Sequence, residues 1–274
     1  MKIDTFIKMG ASHHVCEDYI ISGLLPIPHI IISDGCSSSN NTETGARILC
    51  LLAKQYLNYR ADHLDDLDKD DMKYWIAHNA ELIARQLGLS TSCLDATLIV
   101  ALKQEFEIQV LFFGDGFVYG ISKGLDMDTV LDEISYTSNA PYYLSYLIDP
   151  YRDDLYHEMG NSVSIVTKYK CEVPPGEVTY AYDMAIEVKF PFSEFHTVII
   201  SSDGLGSFLM SSPKDSSKKI KLEPMWLMED HFSAFKNTTG EFLKRRCNKA
   251  IRKFEKNGVV HFDDFSMGAF LLED

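Results

Sequence analysis

The chain has 274 residues, 46% of them hydrophobic, and a formal net charge of −14. That is enough chain for a sizeable core, and too acidic for an ordinary binder of nucleic acid or anionic membrane, whose partners demand basic patches. No apolar run reaches the roughly 18 residues of a membrane span, and the opening MKIDTFIKMG lacks the apolar centre of a signal peptide, so a cytoplasmic protein is expected. The cysteines at 16, 36, 50, 93, 171 and 247 form no Cys-x-x-Cys pair, which favours reduced core residues over a zinc or thioredoxin-like motif.

In chain order, β-rich apolar runs come first, at 18–22 and 28–33. TETGARILCLLAKQYLNYR then places Ala46, Leu49, Cys50, Ala53 and Leu57 on one helical stripe. The acidic segment ADHLDDLDKDDM puts Asp66, Asp68 and Asp70 at the first three ligand positions of a calcium loop. That loop would need Gly where Asp71 stands and Glu where Ala77 stands, so the segment reads as a solvated loop and helix N-terminus. The helix that follows, DDMKYWIAHNAELIARQLG, aligns Met72, Ile76, Ala80, Ile83 and Leu87.

ATLIVALKQEFEIQVLFFGDGFVYGIS reads as three consecutive antiparallel strands, at 96–102, 107–113 and 116–121, with KQEF and GDG as hairpin turns. The stretch 122–195 is the least regular and resembles an insertion, with strands at 162–166 and 178–182. A strand at 196–201, a helix over 240–256 and a strand at 266–272 complete the chain. The basic run KRRCNKAIRK reads as that helix's solvated face. Strands and helices are segregated, which predicts a single α+β domain with antiparallel sheets.

Three Asp-Gly pairs, Asp34-Gly35, Asp115-Gly116 and Asp203-Gly204, follow apolar strands or their last glycine. Each alone is a turn signal. HFDDFSMGAFLLED adds Asp263 and Asp264 before the final strand, and VCEDYIIS adds Glu17 and Asp18 before an early one. Carboxylates gathered at one rim of a sheet repel one another and resist desolvation. The usual remedy is a hard divalent cation such as Mg²⁺ or Mn²⁺.

The ordered series CED, IISDG, DATLIVAL…FFGDGFVYG, VIISSDGLG and FDDFSMGAFLL resembles the metal-dependent PP2C (PPM) family of serine/threonine protein phosphatases, in a divergent bacterial form, over about residues 9–272. The resemblance implies a four-layer αββα sandwich, two antiparallel sheets flanked by helices, with a two-metal cleft at one end. It implies that Asp34 bridges both ions and that Gly35 offers its carbonyl to the second. Asp203 and Asp263 would complete the first ion's ligands, with Asp264 the alternative register. Glu17 and Asp18 would hold metal-bound waters, and Asp115 with Asp203 a weaker third ion. A hydroxide between the two metals would attack phosphorus in line, with no covalent intermediate.

The implied partner is a phosphorylated protein, such as the target or autophosphorylated form of a Ser/Thr kinase; no nucleic acid or membrane is expected. The departures fall on substrate handling. Many members carry a phosphate-binding Arg where His13 stands, so His13 or His14 is the candidate replacement. Cys36 follows the first Asp-Gly, and LDAT, Leu94 to Thr97, replaces the family's usual Gly-Ser/Thr-Thr. The alternative is a pseudophosphatase that keeps the fold as a regulatory protein-binding module.

Overall fold

The computed structural model describes residues 1–124, 128–170, 174–211 and 218–272, without the side chains at 65 and 66. Cys171, and the side chain of Asp66 from the rejected calcium reading, therefore lie outside the described residues.

Two antiparallel sheets stack face to face. The first has seven strands, in the order β1 (Lys2–Lys8), β15 (Phe265–Leu271), β11 (Phe195–Ser201), β6 (Gly116–Ser122), β7 (Thr129–Tyr136), β8 (Ser162–Tyr169), β9 (Gly176–Ala181). The second has five: β10 (Ile186–Pro191), β5 (Glu107–Phe113), β4 (Leu98–Lys103), β3 (His29–Ser33), β2 (Tyr19–Gly23). A small third sheet joins β13 (Lys219–Lys221), β12 (Phe208–Ser211) and β14 (Val259–His261). The main helices are α1 (Thr42–Tyr59), α2 (Lys69–Gln86), α3 (Pro150–Glu158), the short α4 (Pro224–Leu227) and α5 (Phe242–Lys256).

The packing explains why strands such as HIIIS are apolar throughout. Successive side chains in a strand point to opposite faces, and here both faces are covered. Ile30 and Ile32 of β3 meet Val198, Ile200 and Phe270 of the facing sheet. Ile31 points the other way, into Leu49 and Ala53 of α1 and Ile76 of α2. On the far side, Phe6, Ile199, Phe265 and Met267 pack under Leu243, Cys247 and Phe254 of α5. The layers are thus helix, sheet, sheet, helix, as expected. The basic residues of α5 lie opposite its buried stripe, with Lys249, Arg252 and Lys253 exposed. Asp68 caps α2, its side chain accepting from the backbone N–H groups of Asp70 and Asp71, so the acidic loop is a helix start.

Two expectations are corrected. The GDG segment is not a hairpin turn: β5 lies in one sheet and β6 in the other. The chain crosses between layers at Gly114 (φ 120°) and Gly116 (φ 143°), and a Cβ on Gly116 would lie 2.6 Å from Ile99 Cδ1. Only glycine accepts both that backbone and that contact. The described residues of 122–195 are largely regular as well. It contributes β7, β8 and β9 to one sheet, α3, and β10 to the other. Its signal was weak because β9 is exposed along nearly its whole length and carries little apolar alternation.

Candidate metal centre

Strand register brings the acidic residues to one end of the sandwich. Tyr19 pairs with Ser33, so Asp18 at the start of β2 lies beside Asp34 at the end of β3. Ser201 pairs with Met267 and with Phe117, so Asp203 after β11 lies near the starts of β15 and β6, next to Asp263 and Asp115. Each residue was placed by its strand's apolar pattern, and the polar tip follows from where burial stops.

Asp34 is held by backbone on both sides. Its N–H donates to Thr97 Oγ1 (3.3 Å) and its carbonyl accepts from the Thr97 N–H (2.8 Å). Gly35 continues the pairing opposite Ala96, and the Cys36 N–H donates to the Asp95 carbonyl (2.8 Å). A Cβ on Gly35 would lie 2.8 Å from Thr42 Cβ, so the first turn of α1 packs directly on this backbone.

The electrostatics are those of crowded anions. Burial raises Asp34 well above the usual carboxylate range, and Asp18, Asp203 and Asp263 push it further. Burial and then Asp203 raise Asp115, with Asp263 adding to it. Asp263 is raised by burial and by Asp203. Burial pushes Asp18 up to about 7, against hydrogen bonds that lower it. Asp18 is 4% exposed; its Oδ2 accepts from Ser202 Oγ (2.9 Å), while Oδ1 is buried with no partner. Glu17, raised mainly by burial, accepts from Thr42 Oγ1 at 3.2 Å.

His13 reaches the cluster from the loop before β2, its Nε2 3.2 Å from Asp263 Oδ1. Its Nδ1 lies 3.1 Å from Asp264 Oδ2 and 3.4 Å from Glu17 Oε2. His13, Glu17 and Asp264 offer ligand atoms all within 4.8 Å of one another. Asp264 is fully buried and already engaged, because Oδ1 accepts from the Gly10 N–H (2.7 Å) and Oδ2 from the Glu17 N–H (2.5 Å). It anchors the loop that carries His13 and Glu17, and Asp263 is the member of the pair that joins the cluster. His14 is exposed at the surface. The carboxylates fit divalent cations: several converge with raised affinity for protons, and one buried oxygen has no donor.

Sequence reasoning missed a second polar assembly beside the site. Asp95, 3% exposed, accepts from Arg152 Nη2 through both oxygens (2.7 Å each), from Ser145 Oγ (2.6 Å) and from Ser39 Oγ (2.7 Å). The only sequence signal was an acid within the apolar LDAT. Its partners lie up to 57 residues away, beyond any local pattern.

The protein phosphatase 2C family model matches residues 10–243, and the chain belongs to that family. No curated protein matches the sequence. Solved structures with the same fold include a bacterial serine phosphatase (13% identity, TM-score 0.54, covering 100% of this chain and 98% of that one). Another is the serine/threonine phosphatase Stp1 from Staphylococcus aureus (14%, 0.52, 100% and 95%). A third is the catalytic domain of the serine/threonine phosphatase PstP in complex with two manganese ions (14%, 0.51, 99% and 98%).

Proposed function

We propose that this chain is a metal-dependent phosphatase acting on phosphoserine or phosphothreonine in proteins, with Mg²⁺ or Mn²⁺ as cofactor. The observation that carries the reading is the meeting of Asp18, Asp34, Asp115, Asp203 and Asp263 at one rim, where burial raises the proton affinities of Asp18, Asp34, Asp115 and Asp263 and neighbouring carboxylates raise them further. Asp34 would lie between two ions and Gly35 would offer its carbonyl to the second. Asp203 and Asp263 would complete the first set, with Glu17 and Asp18 acting through hydrogen-bonded water and Asp115 with Asp203 toward a weaker third ion. When bound, such ions supply a hydroxide nucleophile at neutral pH and neutralise the phosphoryl oxygens.

The chain's own contribution is to orient and to hold charge. The Thr97 hydroxyl, accepting from the Asp34 N–H, and the Thr97 N–H, donating to the Asp34 carbonyl, fix the Asp34 peptide; Ser202 steadies Asp18, and Asp264 ties down the loop bearing Glu17. A cysteine nucleophile is not part of the reading: burial, Asp264 and Asp18 push the Cys16 thiol up to about 12.

The second reading, a regulatory pseudophosphatase, draws support from His13, which stands at the family's arginine position with both ring nitrogens facing carboxylates. One assay separates the two: hydrolysis of p-nitrophenyl phosphate and of a phosphothreonine peptide with Mn²⁺, with and without chelator. Chelator-sensitive turnover is expected; no turnover with Mn²⁺ bound would favour the regulatory reading.

A further inference from the structure

We propose that the outer face of α5 and the groove beside it dock an acidic peptide segment carrying one large apolar side chain, a stretch of the phosphoprotein substrate away from its phosphorylated residue. The inference rests on the phosphoprotein reading above and concerns a surface outside the metal centre.

The helix supplies the charge. Phe242–Lys256 holds seven Lys and Arg against one acid, Glu255, in a chain whose net charge is −14. Arg245, Lys249, Arg252, Lys253 and Lys256 recur at spacings of three and four, so they share one exposed face. Like charges so placed repel one another. Lys244 and Arg245 also oppose the helix dipole, and the first turn carries no acid. Helix stability therefore does not explain the pattern. Contact with water does not require it either. The outer face of α2 mixes signs, with Lys73 paired to Asp70 (2.9 Å) and Arg85 to Glu81 (2.5 Å). On α5, Lys244 pairs with Glu241 (2.7 Å), and among the described residues Lys249, Arg252, Lys253 and Lys256 have no ion-pair partner.

The groove is a second, independent observation. Lys253 and Asn257 border both the basic face and a groove of about 760 Å³. Its apolar lining includes Leu222, Trp226, Phe254 and Val259, and Trp226 is 41% exposed. His231, on a π-helical turn over Met228–Phe232, lines it as well. Its ring packs against Trp226 (centroids 4.5 Å apart) and Phe254 (4.7 Å). The residue is 8% exposed, and its Nε2 is buried without a hydrogen-bond partner. An apolar slot with one unmet polar atom fits an apolar side chain together with a polar group of the peptide that bears it.

The position suits a substrate. Lys221 also lines the groove, and its Nζ lies 3.4 Å from where a Cβ on Gly206 would stand. Gly206 belongs to the turn Asp203–Ser207, which carries Asp203. A peptide lying on α5 and in the groove is thus led toward the metal centre. Lys244 to Lys256 spans about 18 Å of helix, the length of about five or six extended residues. A nucleic acid or an anionic bilayer spreads its charge far beyond one helix and would meet the acidic remainder of the surface, whereas a short acidic segment meets α5 alone.

The test is fluorescence anisotropy on the full chain, with a labelled peptide of six glutamates around one phenylalanine as the probe. Saturable binding is expected. It should weaken about tenfold or more when Lys249→Glu, Arg252→Glu and Lys253→Glu are combined, and several-fold in Trp226→Ala or when serine replaces the peptide's phenylalanine. Hydrolysis of p-nitrophenyl phosphate with Mn²⁺ should be unchanged in these variants, which also shows that they fold. A phosphothreonine peptide with the acidic flank should be hydrolysed with a kcat/KM about tenfold above one with a glycine-serine flank, the gain lying in KM. No binding of the probe, or equal affinity in the wild type and the triple variant, would overturn the docking site, and continued p-nitrophenyl phosphate hydrolysis would leave the phosphatase reading intact. Probe bound and no phosphoester hydrolysed would overturn that reading while keeping the peptide surface. Tighter binding of phosphatidylserine vesicles or of single-stranded RNA than of the probe would assign the face to another partner and overturn the proposal.

Discussion

Two buried carboxylates near the same rim live in opposite worlds. Asp95 has every partner it needs: a guanidinium bonded to both oxygens, two serine hydroxyls, and an arginine that also lies 4.6 Å over the Tyr146 ring. Asp18 accepts from Ser202 and has Ser266 and Asp34 beside it, yet burial still pushes it up to about 7, and it sits among further acids whose proton affinities are raised. The contrast teaches that this fold can satisfy a buried acid from within when the acid is structural. Where it gathers several acids at one rim and burial raises the proton affinities of most of them, the missing positive charge is expected from outside.

The sharpest way to break the comparison is to neutralise one acid of each kind. Asp34→Asn should cut Mn²⁺-dependent turnover by at least about 100-fold, near 3 kcal/mol of transition-state stabilisation, while the metal-free fold holds or gains stability because one repelling charge is gone. Circular dichroism with steady-state kinetics checks both halves. Undiminished turnover would remove Asp34 from the metal set.

Arg152→Leu should do the reverse. It strands Asp95 and should cost roughly 2–4 kcal/mol of folding stability, discounted because the Arg152 side chain is a quarter exposed. Urea denaturation measures it. A loss below about 0.5 kcal/mol would mean that the two serines alone satisfy Asp95.

The pH response sharpens the comparison further. In the metal-free protein Asp18 keeps its proton up to about 7, whereas the unfolded chain releases it near 3.8. The folded state therefore binds more protons across that window, and stability falls as pH rises through it. The raised values of Asp34 and Asp115 add in the same direction. Metal-free protein should be less stable at pH 8 than at pH 5, and saturating Mn²⁺ should erase the difference. A metal-free protein that gains stability over that range would contradict the crowded-anion account.

The smallest effect is expected at Asp115. Asp115→Ala should spare the tight ions and raise the Mn²⁺ concentration for half-maximal activity several-fold. An unchanged titration would leave Asp115 as a crossover residue between the two sheets.

How much of this was legible in the sequence depended on distance along the chain. The Asp-Gly tips could be read because each ends its own apolar run, and α1, α2 and α5 because their stripes are local. The crossover at Gly114–Gly116 could not, since a short glycine turn looks the same whether the next strand pairs with the last or joins another layer. The His13 contacts reach 251 residues to Asp264, and Asp95 depends on an arginine within a stretch that looked irregular. Polar partnerships made across the fold leave no periodic trace, unlike the burial patterns that place strands and helices.

The most direct test of the central claim is isothermal titration of the metal-free protein with Mn²⁺, in the wild type and in Asp34→Asn. The account predicts two tight ions per chain in the wild type, and loss of at least one in the variant. A wild type that binds no Mn²⁺, or an Asp34→Asn protein that binds the same number with the same affinity, would contradict it.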